Sequence, residues 1–342
     1  MDGLRFAELK AEIEGQATAV QCLELEELIR RIAAAKQSEV LVARRTRDLA
    51  EARSCPHCAH HDIVKNGFDT RGIQRFKCRR STGGGCGKSF NALTKTALAR
   101  MRKPEEWARY AALMANRFIS IADIRESGID ISRLTAWRWR HRLLRLQAER
   151  QPELLDGVIE ADETFFRSSF KGSRGWKRGN PPENRPPRYR GGAALKAGLS
   201  GEQIPVLSAV ATSGQMIEAV LPNRTAIEPA LEGRIAPGSV LCSDGLAAYV
   251  KVAVAAGSEH RRIQTPRPNW VQKAIGGKPR RKGRLGLGRV NAHHERLKTF
   301  VNRQARGVST RYLHLYAAWL RAARRPGFSA ETLLAEAVST LK

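Results

Sequence analysis

Four cysteines in two pairs are the feature that most restricts how this chain can fold. Cys55 and Cys58 form a CxxC turn, and Cys78 and Cys86 form a second pair further along the chain. Thiolates bind Zn²⁺ tetrahedrally, and two such turns can bring four sulfur atoms together. The pattern therefore predicts a zinc ribbon in which all four cysteines bind a structural Zn²⁺.

The second cysteine pair leaves alternatives open. Its internal loop, RRSTGGG, is longer than usual for such ribbons, although the glycines allow the loop to bulge while the thiolates converge. A set of unrelated free thiols is the competing interpretation. Nearby histidines are alternative ligands: His57, His60 and His61. Cys22 and Cys242 have no partner pattern and are expected to be packing residues.

The charge balance indicates a polyanionic partner. The 342 residues include 60 Lys and Arg against 33 Asp and Glu, a formal net charge of +27. Such a field attracts nucleic acid, although a ribosome-associated or simply basic protein remains an alternative. The sequence has no long apolar run, no lipidation motif and no signal peptide pattern. We therefore expect a reducing cytoplasm, no membrane association, and cysteines that are thiols or metal ligands.

Two regions before residue 150 have helical spacing. Residues 4–50 predict one or two amphipathic helices, for which a packing role is favoured over a partner-binding or dimer surface. Residues 117–146 predict a helix, a turn at Ser127-Gly128 and a second helix capped by Ser132. A helix-turn-helix of this kind places its second helix in the major groove of DNA. An ordinary helical hairpin with a solvated basic face is the alternative.

The second helix has a basic face in this interpretation. Its residues suited to phosphates and base edges are Arg133, Thr135, Arg138, Arg140, His141 and Arg142. Its residues expected to pack inward are Leu134, Trp137 and Leu144.

Two aspartates lie in strand-like segments. Asp162 follows a β-type run in GVIEADETFF, and Asp244 ends an apolar run in SVLCSDG. Glu160 shares the face of Asp162 by the two-residue period, whereas Glu163 points to the other face. Phosphodiester chemistry uses two divalent metals about 4 Å apart, held by oxygen ligands from separate segments. The two aspartates are therefore expected at the ends of neighbouring strands, as metal ligands.

The order of elements between these aspartates indicates a fold. Two further strands, IPVLSAVATSG and MIEAVLPN, then a helix, TAIEPALEG, precede the fourth strand that ends at Asp244. This is the order in a ribonuclease H-like fold, whose first and fourth strands place aspartates side by side. The region from residue 290 to residue 323 returns to helical spacing.

At this point the sequence resembles a known family, the insertion-sequence transposases of the ISXO type. The resemblance lies in CPHC…CGKSF, in DETFF with FKGSRGWKRG, in GLSGEQIPVL, in SDGLAAY and in VNAHHERLKTFVNRQARGVSTRYLHLYAAWLR. It covers roughly residues 50–323. It implies an N-terminal zinc ribbon, a ribonuclease H-like catalytic domain and a third metal-site residue on the C-terminal helix.

The third residue differs from that of many relatives, which have Glu. Asn291 falls at the aligned position, so the implied triad is Asp162, Asp244 and Asn291. An Asn carbonyl can bind a hard cation but brings no charge. Glu295, one helical turn later, is the alternative ligand, and His294 could also approach the site. Lys298 would hold a phosphate, or else be a solvated surface lysine.

Two basic stretches, 171–192 and 261–289, interrupt the strand pattern. The first includes Trp176, Lys177 and Arg178, and the second includes Trp270 among many Arg and Lys residues. Basic residues with interleaved aromatic rings suit a DNA backbone and unstacked bases. A disordered solvated loop that orders only on DNA is the competing interpretation.

The sequence thus predicts an α+β multidomain chain. We expect a helical segment (1–50), a zinc ribbon (51–95), a helix-turn-helix (104–148) and a ribonuclease H-like α/β catalytic domain with a mixed sheet (154–325). The expected protein is a prokaryotic, nucleoid-associated DNA transposase that uses Mg²⁺ or Mn²⁺, binds double-stranded element ends and target DNA, and is a homo-oligomer on DNA. The alternatives are a structure-selective endonuclease of the same fold and an inactive DNA-binding derivative.

Overall fold

The computed structural model describes residues 3–80, 84–116, 120–186, 200–264 and 285–339. The fold is of the α+β class. The chain divides into two compact units. The first comprises residues 1–117, 121–139 and 329–342, and the second comprises residues 118–120 and 140–328.

The first unit begins with two helices, α1 (Gly3–Gln16) and α2 (Ala19–Ala52). Thr18 caps α2, because its side chain accepts a hydrogen bond from the backbone N–H of Gln21 while the Gln21 side-chain oxygen accepts one from the backbone N–H of Thr18. The two helices confirm the periodicity of this region. They do not pack as expected, since large apolar side chains such as Leu4 (75% exposed) and Leu23 (68% exposed) face solvent.

A small antiparallel sheet follows in the first unit. Its strands are β1 (Ile63–Phe68), β2 (Gln74–Cys78) and β3 (Ser89–Asn91), in that order. Phe76 on β2 lies opposite Phe90 on β3, and the two rings stack with centroids 5.7 Å apart. The buried side of this sheet is completed by two cysteines, Cys55 and Cys78.

The remaining helices of the first unit are α3 (Trp107–Asn116), α4 (Ile121–Glu126), the start of α5 (Arg133–Ala148) and α10 (Ala330–Val338). Gly128, at φ +76, makes the turn between α4 and α5. Ser132 caps α5 by accepting a hydrogen bond from the Thr135 N–H at 3.1 Å. Tyr110 of α3 packs edge-on to Trp139 and donates to the carbonyl of Ala136, which holds α3 against α5.

The second unit is built on a mixed five-stranded sheet. Its strands are β4 (Val158–Arg167), β5 (Gln203–Ala211), β6 (Met216–Val220), β7 (Val240–Ser243) and β8 (Glu259–Arg262), and their order across the sheet is β6-β5-β4-β7-β8. β5 is antiparallel to both of its neighbours, β4 and β6, whereas β4, β7 and β8 are parallel. With α6 (Ile227–Leu231) before β7, the predicted order of elements between the two aspartates is found.

Two helical layers cover the sheet of the second unit. One face packs on α6 and on α7 (Ala247–Ala255), with Ile159, Leu207 and Leu241 in the shared core. The other face packs on α8 (Gly288–Thr299), whose Val290 is buried against Val210. A π-helical segment, Phe300–Gln304, extends α8, and α9 (Leu313–Ala323) packs against β6.

None of the helices in the described part of the chain is both long enough and apolar enough to cross a membrane.

Candidate metal centres

The four predicted cysteines converge on one point. The Sγ atoms of Cys55 and Cys86 are 3.7 Å apart, those of Cys58 and Cys78 are 3.8 Å apart, and all four lie within 4.8 Å of one another. Zn–S bonds of about 2.3 Å directed to the corners of a tetrahedron separate the sulfur atoms by about 3.8 Å. The spacing is therefore that of a Cys₄ zinc site. It is also too long for a disulfide bond.

Backbone hydrogen bonds hold the first cysteine pair in a tight knuckle. The N–H of Ala59 donates to the Cys55 carbonyl at 2.8 Å, and the N–H of Cys55 donates to the His60 carbonyl at 2.9 Å. Ala59 adopts the left-handed conformation with φ 60. The N–H of His57 points at the Cys55 sulfur at 3.4 Å, a contact that favours the thiolate.

The second pair is closed by a glycine that cannot be replaced freely. Gly85 lies so near β2 that a Cβ atom there would be 1.7 Å from the backbone oxygen of Arg79. This close approach turns the long loop back so that Cys86 meets Cys55. Gly84 and Gly85 therefore serve the predicted bulge, whereas Gly83 lies outside the described residues.

The two aspartates lie next to each other across parallel strands. Glu160 of β4 is opposite Cys242 of β7, and the same register two residues later brings Asp162 beside Asp244 on one face. The carboxylate of Asp162 accepts from the Glu163 N–H, and that of Asp244 accepts from the Leu246 N–H, at 2.9 Å and 3.0 Å. Two acidic side chains from separate segments therefore converge.

The expectation that both aspartates end their strands is correct only for Asp244, which follows β7 directly. Asp162 lies in the middle of β4, because Glu163 to Arg167 continue to pair with β5. On its other side, β4 pairs with β7 only from Val158 to Glu160. Asp162 therefore lies two residues beyond the last residue of β4 that pairs with β7, although β4 itself continues.

The surroundings of Asp162 disfavour its charge. Burial, together with the neighbouring charges of Glu163 and Asp244, raises the pKa of Asp162 to about 6, although the Glu163 N–H and Arg224 act in the opposite direction. A carboxyl group in this position loses free energy when it ionises unless a cation lies nearby. The site is therefore electrostatically prepared for a positive charge.

This environment predicts a change of stability with pH. Because the folded chain holds the Asp162 proton more tightly than the unfolded chain, this group stabilises the fold at low pH, and the contribution is lost as pH rises from about 4 to about 6. Asp162→Asn removes the ionisation. In buffer without Mg²⁺ or Mn²⁺, we expect it to raise the melting temperature above pH 6 and to have little effect at pH 4.

The matched control is Asp156→Asn, at an exposed position just before the same strand. Thermal melts of the three proteins between pH 4 and pH 8 test the prediction. A variant Asp162→Asn that melts below the parent at pH 7.5 would contradict it.

Helix α8 is fixed to the same face of the sheet by Glu160. The Glu160 carboxylate accepts the backbone N–H groups of Arg289 and Val290 at 2.6 Å and 3.1 Å, and it pairs with the Arg289 guanidinium at 2.9 Å. A buried carboxylate at a helix N-terminus satisfies free N–H groups and complements the helix dipole. β4 thus supplies both Asp162 and the anchor of α8. Glu163 points to the opposite face, as predicted, and accepts a hydrogen bond from the Tyr249 hydroxyl.

A second buried contact fixes the rotation of α8. His293 Nε2 lies 2.8 Å from Glu218 on β6, and the other oxygen of Glu218 pairs with Arg321 of α9 at 3.1 Å. Helix α8 packs on β4 and β5, so β6 and β7 lie on opposite sides of it. Asn291 is exposed and lies about 160° around the helix from His293.

Glu295, one turn after Asn291, is exposed as well. Lys298 Nζ lies 3.9 Å from its carboxylate, and it lines a depression on α8 together with Leu320 of α9. Among the described residues, one group of three or more His, Cys, Asp or Glu side chains has all its ligand atoms within 4.8 Å of one another, and it is the four cysteines. Asp162, Asp244 and Glu295 do not form such a group.

Two buried polar atoms next to Asp162 have no hydrogen-bond partner among the described residues, Thr164 Oγ1 and Ser208 Oγ. Ser208 lies directly opposite Asp162 on β5, and Thr164 shares its face. His294 Nε2, buried on α8, is unpaired among the described residues as well. Burial lowers the pKa of His294 to about 3, so the ring is neutral. Polar atoms left unpaired in a buried place indicate water or a ligand.

The expected DNA-facing surface of α5 is partly wrong. Arg140 and His141 are 5% and 4% exposed, whereas Leu134 and Trp137 are 56% and 38% exposed. The helix turns Ala136, Trp139 and Leu143 inward, a different phase from the one that the apolar residues suggested. The remaining predicted residues keep access to solvent, namely Arg133, Thr135, Arg138 and Arg142.

The first basic stretch is folded around aromatic rings. Trp176 packs edge-on to Phe170, its Nε1 donates to the Arg185 carbonyl at 2.8 Å, and the Arg185 guanidinium lies over its ring. This ring is therefore engaged rather than free to stack on a base. Lys177 and Arg178 next to it are exposed. Residues 187–192 of this stretch and 265–284 of the second lie outside the described residues.

Sequence reasoning missed the partners that hold the site. Glu160 was placed on the correct face without a role, and the Glu218–His293–Arg321 contacts were not foreseen. Strand β8 was also missed, because its residues, EHRR, have no apolar alternation. The signal that the sequence offered for Glu160 was its acidic side chain two positions before Asp162, on the same face of the strand.

Comparisons with known proteins add little. No family model matches the sequence, and no curated protein matches it. Eight chains of solved structures match, among them a chain from the simian T-cell lymphotropic virus intasome in complex with PP2A regulatory subunit B56 gamma. That match has 12% identity and a TM-score of 0.25, and it covers 61% of this chain and 64% of that one. This chain thus spans slightly less than two thirds of the length of that chain, and the TM-score is too low for the match to carry an argument.

Proposed function

We propose that the chain is a metal-dependent DNA transposase that cuts and joins DNA at the ends of its own mobile element. The observation that carries the proposal is the pair Asp162 and Asp244, side by side on parallel strands, with the pKa of Asp162 raised by burial and by its acidic neighbours. The net charge of +27 suits a DNA substrate.

The sheet supports a ribonuclease H-like catalytic domain. Numbered from β4, the strand order is third, second, first, fourth, fifth, with the first three antiparallel and the last two parallel to the first. The aspartates are on the first strand and directly after the fourth, where this fold places them. A fold hosts many functions, so the activity rests on the site and not on the topology.

The residues present fit a divalent cation. Two carboxylates are hard oxygen ligands, the unpaired polar atoms beside Asp162 leave room for hydration, and ionised Asp162 lacks a strong counter-charge. Bound Mg²⁺ or Mn²⁺ would activate the attacking oxygen and stabilise the leaving oxygen of a phosphodiester. Asp162 and Asp244 would hold the cations, while Glu160 and His293 keep α8 in place.

Asn291 is proposed as the third metal-site residue. It falls at the position that the family resemblance implies, and its amide oxygen can bind a cation without adding charge. Lys298, two turns further along the same side of α8, would contact a phosphate of the DNA. Glu295, one turn after Asn291 and exposed as Asn291 is, remains the alternative ligand and lies with Lys298.

Asn291→Ala and Glu295→Ala distinguish these two ligands. We expect Asn291→Ala to reduce Mg²⁺-dependent cleavage by about 10–100-fold, since loss of a neutral ligand weakens but does not remove the cation. Glu295→Ala should leave cleavage within about twofold, because an exposed pair contributes little. Initial rates over a range of Mg²⁺ concentrations measure both. The reverse pattern would assign the third position to Glu295.

Two surfaces are proposed to bind DNA. The exposed start of α5 carries Arg133, Thr135 and Arg138, with Arg142 one turn further on, and the loop after β4 carries Lys177 and Arg178. A capped helix after a glycine turn is suited to the major groove, whereas an exposed basic loop is suited to backbone phosphates. The Cys₄ ribbon is proposed as a structural zinc module that takes no part in DNA cleavage.

An end-joining assay tests the proposed function. The substrates are supercoiled plasmid, and labelled DNA from both flanks of the gene that encodes the chain, with Mg²⁺ or Mn²⁺. Metal-dependent cleavage followed by joined products is the expected result. Cleavage without joining would favour a structure-selective endonuclease, and binding without cleavage would favour an inactive DNA-binding derivative.

A further inference from the structure

The first 40 residues concentrate the exposed apolar side chains of the protein. Between Leu4 and Gln37, none of the side chains that the structure describes is buried, and burial along α2 begins at Ser38. We call residues 3–37 the N-terminal arm. Apolar residues exposed on it are Leu4, Leu9, Ile13, Val20, Leu23, Leu28, Ile29 and Ile32.

Packing of α2 against the rest of the first unit begins only after the last residue of the arm. Val42 is buried, and the Arg45 guanidinium donates to the carbonyl of Ala92 at 2.7 Å, so the second half of α2 is packed. Neither α1 nor the first half of α2 has a buried side chain among those that the structure describes. Helical stability in proteins comes mainly from packing an apolar face. A helical pair that leaves its apolar side chains in water is therefore suited to a partner.

The arm has a groove of about 710 Å³ between its two helices. Leu9 and Ile13 of α1 line one side, and Leu25 and Leu28 of α2 line the other. These positions recur every three to four residues, as in helices that pack side by side. The groove continues the exposed stripe, so a helical partner can lie along it.

The arm lacks the positive charge that would favour DNA as that partner. Residues 3–37 contain six acidic residues, Glu8, Glu12, Glu14, Glu24, Glu26 and Glu27, and five basic residues, Arg5, Lys10, Arg30, Arg31 and Lys36. The chain as a whole has a net charge of +27, so this nearly neutral segment contributes nothing to the basic excess. The electrostatic attraction that brings a polyanion to a basic surface is therefore absent from the arm.

The charges along α2 are complementary to themselves. The acidic positions 24, 26 and 27 are followed by basic positions 30, 31 and 36. In an antiparallel pair with its two-fold axis beside residue 30, Leu28 lies opposite Ile32 of the second copy, and Glu24 lies opposite Lys36. A two-fold interface needs one patch that complements itself, and this sequence has that property. Flanking charges of this kind set orientation in paired helices.

We propose that two copies of this chain associate through their N-terminal arms, with the α2 helices antiparallel. The association requires neither DNA nor a metal ion at the aspartates, so it is independent of the proposed function. In this dimer the arm of the second copy covers the apolar side chains of the first.

The first test measures the mass of the full chain in solution. Sedimentation equilibrium without DNA, over a range of protein concentrations, should show a dimer. Leu28→Glu with Ile32→Glu should raise the dissociation constant by at least about 100-fold, since unpaired charges would be buried. The control is Leu154→Glu with Val254→Glu, at exposed apolar positions of the second unit, which should leave the dimer unchanged. Circular dichroism verifies that both variants fold.

The second test exchanges charges. Glu24→Lys and Lys36→Glu should each weaken the dimer by up to about tenfold, because two symmetric surface pairs are lost. Combining both changes in one chain should restore it, and mixing the two single variants should give a heterodimer. A parent chain that is monomeric at tens of micromolar protein, or a dimer that survives Leu28→Glu with Ile32→Glu, would overturn the proposal. So would a failure of the combined charge exchange to restore association.

Discussion

Asp162→Ala and Asp244→Ala are each expected to reduce Mg²⁺-dependent DNA cleavage by at least about 10³-fold, because a catalytic cation supplies several kcal/mol of transition-state stabilisation. Asp162 lies on β4, Asp244 directly follows the parallel strand β7, and the charge of Asp244 acts on Asp162. Each variant removes one of the two charged ligands. Cleavage and joining of labelled DNA with Mg²⁺ measure the loss.

Binding must be measured separately from chemistry in this experiment. The variants should bind the same DNA as tightly as the parent chain in the absence of divalent metal, or somewhat more tightly, since a negative charge is removed. Asp156→Ala, an exposed aspartate at the entrance of β4, is the matched control and should keep full activity. Cleavage that persists in Asp162→Ala and Asp244→Ala would remove the metal site from the proposed function.

Cys78→Ser is expected to abolish zinc binding and to unfold the three-stranded sheet of the ribbon. Cys78 is fully buried, and its sulfur is 3.8 Å from that of Cys58. A structural zinc site in a small module contributes about 10–16 kcal/mol to its folding, more than so small a core supplies. Phe76 and Phe90 are the principal apolar side chains between β2 and β3. The metal content of the purified chain and limited proteolysis of residues 55–91 report the change.

The same experiment has an internal control. Cys22→Ser changes an exposed cysteine of α2 outside the cluster, and it should retain one zinc per chain and the protease resistance of the parent. The second unit should retain its own melting transition in both variants, because its core does not include the ribbon. A parent chain purified without zinc, with the ribbon resistant to protease, would contradict the assignment of the four cysteines.

The ribbon and the aspartate pair could be predicted because local patterns carry them. A CxxC turn has few other structural explanations, and the strands around Asp162 and Asp244 are short apolar runs separated by clear turn signals. The two-residue period of β4 also separated Glu160 from Glu163 correctly, since alternation in a strand depends only on the backbone. The mixed sheet followed from the order of these runs.

The parts that escaped prediction depend on contacts far apart in sequence. The phase of α5 was misjudged because apolar and basic residues alternate around the helix, so the sequence alone fits Leu134 and Trp137 inward as well as Trp139 and Leu143. Tertiary packing decides between them, and it buries Arg140 and His141. The edge strand β8 carries charges instead of an apolar pattern, as edge strands often do.

The carboxylate that anchors α8 has a consequence for the order of assembly during synthesis. Glu160 and Arg289 are 129 positions apart in the sequence. The ribosome therefore makes β4 well before the helix whose N-terminal N–H groups bind Glu160. At 5–20 residues per second the interval is roughly 6–26 s. For the last 45 of those 129 positions, from Asp244 to Arg289, the chain has both aspartates but lacks the helix that carries Asn291. A nascent or prematurely released chain therefore cannot complete the proposed metal site, and the capacity to cut DNA arises only once almost the whole protein has been made.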